Sequence, residues 1–389
     1  HFIFFIEFLK FIAKDIDFVT YYRYSFVNFT DMNIDYIFSI GLMSGTSLDG
    51  LDLVYVKFNI DNYQDFEILQ AETIPYSVKW KVILQKSIHF SASELSTLDL
   101  EYGQLLAERV SEFMDKYAIK NVDFIASHGH TVLHQPEKGI TLQIGSGQII
   151  ANKTRHKVIC DFRTQDVALG GQGAPLVPIG DALLFSQYEY CLNLGGFANV
   201  SFEKKNERIA FDICPVNIVM NFYVSKLGFD YDENGELASK GVINESLLEK
   251  LNDLSFYRKQ YPKSLGLEWV QLKVFPLIDA METDVSVILR TFVEHVAIQI
   301  SRIVEKDSAI LFTGGGVFNS FLMSRIRVLS SCKVQKVTNK MVNYKEALVF
   351  VFLGLLRIEN EINCLKSVTG ASKNHSSGVV FYPSFFERK

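Results

Sequence analysis

A chain of 389 residues is longer than one hydrophobic core usually organises, so two domains are expected. Hydrophobic residues at 48% and charged residues at 21% are ordinary for a globular protein, and a formal net charge of -5 offers no basic surplus to hold nucleic acid or an anionic membrane. The five cysteines, Cys160, Cys191, Cys214, Cys332 and Cys364, contain no CxxC pair and are odd in number, which argues against a disulfide framework or zinc ribbon and for a cytoplasmic protein.

Residues 1–31 differ from the rest: they start at His1, are rich in aromatics and contain neither Gly nor Pro. Glu7, Lys10, Lys14, Asp15 and Asp17 interrupt the apolar runs, so no stretch is long enough to span a bilayer, and no small-residue cleavage site follows. The favoured reading is a non-native or disordered leader with Met32 as the true start; the alternative is an amphipathic helix meeting a membrane or partner.

From Met32 the pattern becomes regular. Residues 36–41 and 51–58 read as strands around a glycine-rich turn, with Asp49-Gly50 a hairpin signal. A helix is expected over 93–117, then buried strands over 122–127 and 156–161; Cys160 and Cys191 read as small buried hydrophobes. A similar unit follows: a strand from Tyr190 into Gly195-Gly196, a return over 198–202 and a third strand over 209–213. Helical spacing over 284–304, a strand over 309–313, the turn Gly314-Gly-Gly316 and helices over 319–329 and 344–361 complete the chain. Two successive strand-then-helix sets predict two α/β domains: 32–185 completed by 346–389, and 186–345.

Three glycine turns, each directly after a strand, point to a nucleotide gripped between two facing domains. In the first, glycines allow close backbone approach to phosphate, Thr46 and Ser47 add hydroxyls, and Asp49 and Asp52 suit Mg²⁺, directly or through water; the plain alternative is an ordinary hairpin. His128, His130 and His134 raise a zinc reading, but no Cys or carboxylate lies close by to complete a site. Asp230-Tyr-Asp-Glu-Asn-Gly235 starts like a calcium loop, yet its twelfth position is Gly241 where a Glu is required, so a polar turn is expected. Asp161, Arg163 and Asp166 by themselves read as an ion-paired turn.

The motif Gly41-Leu-Met-Ser-Gly-Thr-Ser-Leu-Asp-Gly-Leu-Asp52 resembles the opening signature of anhydro-N-acetylmuramic acid kinases. Asp161-Phe-Arg-Thr-Gln-Asp166 with Gly170-Gly-Gln-Gly-Ala-Pro-Leu-Val-Pro178 resembles the family's central signature. Leu192-Asn-Leu-Gly-Gly-Phe-Ala-Asn199, Pro262-Lys-Ser264 and Ser367-Val-Thr-Gly-Ala371 follow in order. The resemblance implies an α/β fold of two actin/hexokinase-like (ribonuclease H-like) domains with an interdomain cleft. It also implies ATP with Mg²⁺, and a 1,6-anhydro-N-acetylmuramic acid substrate that is hydrated across the anhydro bridge and phosphorylated on O6 in peptidoglycan recycling. No nucleic acid or membrane partner is implied, and a homodimer is the family-level expectation.

On this resemblance Asp166 is the catalytic base. Gly45, Thr46, Ser47, Leu48, Asp49, Gly50, Leu51, Asp52, Gly195 and Gly196 bind the ATP phosphates, and Gly314, Gly315, Gly316 and Asn319 the adenosine side. His128, His130, Arg163 and Asp161 face the sugar; Arg163 suits a carboxylate or phosphate, and Asp161 alternatively orients Arg163. Glu346 matches a family Glu near the nucleotide, or is simply an acid favoured at a helix start. Asp212-Ile-Cys-Pro-Val-Asn217 departs from the glycine-bearing family form. The alternatives are a kinase of the same fold for another sugar, and a non-catalytic nucleotide-binding sensor.

Overall fold

The computed structural model describes residues 36–45, 48–335 and 337–384; the expected leader at 1–31 and the hydroxyls of Thr46 and Ser47 lie outside them. In chain order the strands are β1 (Tyr36–Ser44), β2 (Gly50–Asn59), β3 (Phe66–Pro75), β4 (Phe124–Ser127), β5 (His130–Gln135), β6 (Ile140–Ile144) and β7 (Val158–Cys160). They continue as β8 (Tyr190–Leu194), β9 (Phe197–Lys204), β10 (Glu207–Pro215), β11 (Ala309–Thr313), β12 (Lys333–Val334) and β13 (Val379–Phe381).

Two sheets share one plan. The first has the order β13-β7-β4-β1-β2-β3 and the second β10-β9-β8-β11-β12; β5 and β6 form a separate ribbon. In each large sheet a leading strand pairs with its hairpin partner on one side, and on the other with a parallel strand reached by a crossover: β1 with β4, and β8 with β11. A further parallel strand follows, β7 beside β4 and β12 beside β11. Leaving β13 aside, the order is three-two-one-four-five twice over. The repetition expected from the sequence is therefore real at the level of topology.

Local chemistry explains where element ends depart from expectation. The helix expected over 93–117 is Ala92–Lys116 because Ser91 and Glu94 form a reciprocal capping box at its start. The last long helix begins at Asn339, capped by Thr338, well before the apolar run that first signals it, and ends at Ile358. Its polar first turn carries no hydrophobic periodicity.

That helix, Asn339–Ile358, is the centre of the molecule. Ala347, Leu348, Val349, Val351, Phe352, Leu353, Leu355 and Leu356 are each fully buried, the all-round apolar character of a helix enclosed by protein. Its cluster takes in Val54, Phe124 and Ile159 from the first sheet and Cys191 and Leu311 from the second, so both sheets lean on one rod. Among the described residues no helix is long and apolar enough to cross a membrane. Leu348→Ala should lower the unfolding free energy by about 2–5 kcal/mol in denaturant titration. Leu272→Ala, at a side chain 71% exposed, should stay within about 0.5 kcal/mol of the parent.

Candidate active site

A cavity of about 1310 Å³ opens between the sheets. The second sheet contributes Asn193 and Gly195 from the end of β8, Thr313 and Gly314 from the end of β11, and Asp212 from β10. Gln172, Pro175 and Thr369 face them, and Lys345 and Glu346 rise from the central helix. The carboxyl ends of parallel strands thus feed the cleft, as expected of ligand sites in α/β sheets. At Gly314 (φ 84) a Cβ would lie 2.6 Å from Asn193 Oδ1 and 2.8 Å from the Leu194 carbonyl carbon, so glycine lets the turn after β11 close on the end of β8.

Asp166 sits in the short helix Thr164–Ala168 with no solvent exposure. Its Oδ2 accepts the Gly173 amide at 2.7 Å and its Oδ1 the Thr369 hydroxyl at 2.7 Å. At Gly171 a Cβ would stand 2.2 Å from Oδ2, so the carboxylate needs glycine there. Because Thr369 lines the cavity, Asp166 lies one hydroxyl behind its wall, on the same space as Gly195 and Gly314.

Asp161 does not orient Arg163. It adopts a left-handed backbone (φ 57), and its Oδ1 accepts the Thr164 amide at 3.2 Å, at the first residue of the Asp166 helix. Arg163 spends its donors inside the protein: Nη1 donates to the Gly173 carbonyl at 2.6 Å, Nη2 to His128 Nε2 at 2.8 Å and Nε to the same nitrogen at 3.2 Å. His128 is neutral by this pattern, its Nδ1 donating to the Gly129 carbonyl at 2.9 Å. Burial first, and Arg163 second, hold it well below the usual histidine range. His130 Nδ1 lies 3.0 Å from Ser44 Oγ, which also receives the Tyr76 hydroxyl at 2.8 Å; burial pushes His130 down to about 4. Of the three histidines, His134 is the one that lines the cavity.

In the first glycine turn, Leu48 and Leu51 direct their side chains into the core, and Leu48 takes a left-handed backbone (φ 60). Asp49 is exposed. The described turn residues, Gly45 and Leu48–Asp52, are not part of the cavity wall, but their charge reaches it. Asp52 accepts the Thr73 hydroxyl at 2.6 Å and is raised by burial, with Asp49 adding repulsion. Glu346, open to the cleft yet deep within it, is raised chiefly by the protein around it; Arg163 opposes and Asp52 reinforces the shift.

The second turn is braced by the segment that departs from the family form. Val216 and Ile218 amides donate to the Gly196 carbonyl and Asn217 to that of Gly195. Asp212 accepts the Leu265 amide at 2.8 Å and donates its own amide to the Lys263 carbonyl, which brings Pro262, Lys263 and Ser264 to the cavity. Gly315 and Gly316 continue the third turn, while Asn319 caps the helix Ser320–Ser330 through the Leu322 amide at 2.9 Å and is itself buried. The calcium-like stretch is a turn whose Asp232 accepts the Leu237 and Ala238 amides.

Gly171 and Thr369 lie inside the family signatures but had no role assigned from sequence, and Asp181 and Lys345 stand outside those signatures. The last two form a buried pair, Lys345 Nζ 2.5 Å from Asp181 Oδ1, on the cavity wall. A charge inside an apolar run, as in Val177-Pro-Ile-Gly-Asp181-Ala-Leu-Leu184, was the available signal. All five thiols are free, and burial pushes Cys160 up to about 12 and Cys191 up to about 11, so neither is primed as a nucleophile.

Two sheets of one topology facing a shared cleft, with glycine turns at their strand ends, define an actin/hexokinase-like α/β protein. The chain belongs to the anhydro-N-acetylmuramic acid kinase family, whose model matches residues 37–383. It is 33% identical over 367 residues to the anhydro-N-acetylmuramic acid kinase of Pasteurella multocida, covering 89% of this chain and 97% of that one. It is 36% identical over 371 residues to the enzyme of the same name from Vibrio cholerae, covering 88% and 98%.

The buried histidine carries a pH signature. Because the folded state disfavours charged His130, the unfolded chain binds more protons between about pH 6.5 and about 4. Stability should therefore fall as pH drops through that window, and His130→Gln should lose on the order of 2 kcal/mol less across it. Unfolding titrations at pH 7, 5.5 and 4 would show equal slopes if the assignment were wrong.

Proposed function

We propose that this chain uses ATP to convert 1,6-anhydro-N-acetylmuramic acid into N-acetylmuramic acid 6-phosphate. The observation that carries the reading is one cavity that joins the Thr369–Asp166 contact to the glycine turns at Gly195 and Gly314. Water must attack the anomeric carbon while a base takes its proton, and the freed O6 must meet the γ-phosphoryl group. Asp166 is the base; the Gly173 amide and Thr369 hydroxyl fix its carboxylate. Gly195 faces the phosphates from the cavity wall, with Gly196 next to it in the turn, and Lys263 and His134 suit the polar sugar substituents.

Mg²⁺ would supply charge neutralisation at the transferring phosphoryl group. Asp49, Asp52 and Glu346 offer the oxygen ligands a hard cation prefers; burial raises Asp52 and Glu346, and repulsion from a neighbouring carboxylate adds to each shift. Five free thiols support a reducing cytoplasm.

Asp166→Asn should lower ADP release driven by anhydro-N-acetylmuramic acid about 10²–10⁴-fold while nucleotide binding persists. Equal turnover would remove Asp166 from the base role. Gly171→Ala, whose methyl group overlaps Asp166 Oδ2, should lower kcat at least tenfold with the fold retained by circular dichroism; rates matching the parent would show that the carboxylate's seat is not restrictive.

A further inference from the structure

Beside Asp166, and not part of the cavity wall, stands His375, 6% exposed. Its backbone is clamped to Cys364 by two hydrogen bonds, at 3.0 and 3.2 Å. The ring's Nδ1 lies 3.2 Å from the Lys373 carbonyl oxygen, which only accepts, so that nitrogen carries a hydrogen, and in the neutral ring Nε2 presents a lone pair. Nε2 is aimed at Asp166 Oδ1 from 3.6 Å, beyond hydrogen-bond reach, and no donor among the described residues satisfies it. A buried acceptor facing a buried acceptor is unfavourable in the resting protein.

The same geometry is favourable once the carboxylate holds a proton, because Oδ1–H then donates to Nε2. We propose that Thr369, Asp166 and His375 form a proton line from the cavity into the protein, with His375 as the positioning residue that stabilises Asp166 in its protonated form. This rests on the reading of Asp166 as the base. Thr369 opens the line, since it borders the cavity and its hydroxyl already donates to Asp166 Oδ1 at 2.7 Å.

In the step, a lone pair of the attacking water forms the bond to the anomeric carbon as the bond from that carbon to O6 breaks. O6 keeps the bonding pair and takes the γ-phosphoryl group, and ADP leaves with the electrons of the broken P–O bond. The water's proton passes to Thr369 Oγ1 as the Thr369 hydroxyl hydrogen moves to Asp166 Oδ1, which then donates to His375 Nε2. One proton returns to solvent when the products depart. The orphaned acceptor gains its partner only after proton transfer, so the interaction favours the reacting state over the resting one. The other titratable groups facing the pair are the Cys364 thiol, which burial pushes up to about 12, and the Arg163 guanidinium.

The test is kcat, KM and melting temperature for His375→Met and His375→Gln in the full chain, beside Asp166→Asn. Met fills the space without an acceptor, and Gln can donate its amide to the resting carboxylate. Both should lower kcat about ten- to hundredfold with KM within about threefold, while the melting temperature stays level or rises. A structural role predicts the opposite: Met lowers the melting temperature and Gln restores both stability and turnover. Parent-like kcat in His375→Met, or recovery in His375→Gln, overturns the proton line. If Asp166→Asn itself retains turnover, the base assignment fails; if it is inactive while His375→Met is not, the relay alone fails.

Discussion

A buried ion pair ties the architecture together. Lys345 leaves the central helix to meet Asp181 from the helix Val177–Leu184, and Asp181 also receives the Ser201 hydroxyl from β9. Arg208 of β10 donates to the same hydroxyl at 2.7 Å and stands 4.0 Å from Asp181. Burial alone would lower Lys345, but Asp181, chief among the opposing groups, outweighs that and holds the ammonium above its ordinary value. Such a pair adds little net stability over apolar packing, yet removing one partner typically costs about 3–5 kcal/mol because the other charge is left buried alone. Its effect here is geometric: it fixes the relation of the central helix, the Asp181 helix and the second sheet at the cavity wall.

From that fixed relation the cleft follows. The central helix packs on both sheets and presents Glu346, next to Lys345, to the cavity. The Asp181 helix follows directly on the segment Gly170–Pro178, whose Gly173 amide holds Asp166. The chain end closes the arrangement: Thr369 reaches Asp166, Ser367 donates to the Arg208 carbonyl at 2.9 Å, and Ser377 donates to the Phe162 carbonyl at 2.8 Å. Residues far apart in the chain thus define one carboxylate's surroundings.

Polar groups in this region divide into two kinds. Arg163, His128 and Asp161 have their hydrogen-bonding capacity used within the protein and act on the site by holding its walls. Asp52 and Glu346 are raised by burial with a neighbouring carboxylate adding to each shift, and His375 Nε2 has no hydrogen-bond partner among the described residues. Perturbed groups of the second kind cluster at functional sites.

Much of this was legible in the residues alone. Alternating and helical spacing located the strands and long helices, and the glycines after β8 and β11 marked turns that end at the cleft, because local sterics and periodicity act over a few neighbours. The order of motifs sufficed for the family. What tertiary structure decided was pairing across distance. Asp161 and Arg163 sit beside Asp166 in the chain, yet one holds the Thr164 amide and the other became a brace, because the nearest backbone donors and acceptors claimed them. The motif Ser367–Ala371 flagged the stretch but not the role of Thr369, and His375 carries no local signal, since their part depends on where the chain end is folded back against Asp166. Hydrogen bonds are made over about 3 Å of space whatever the separation in sequence, and only the packed chain sets those distances.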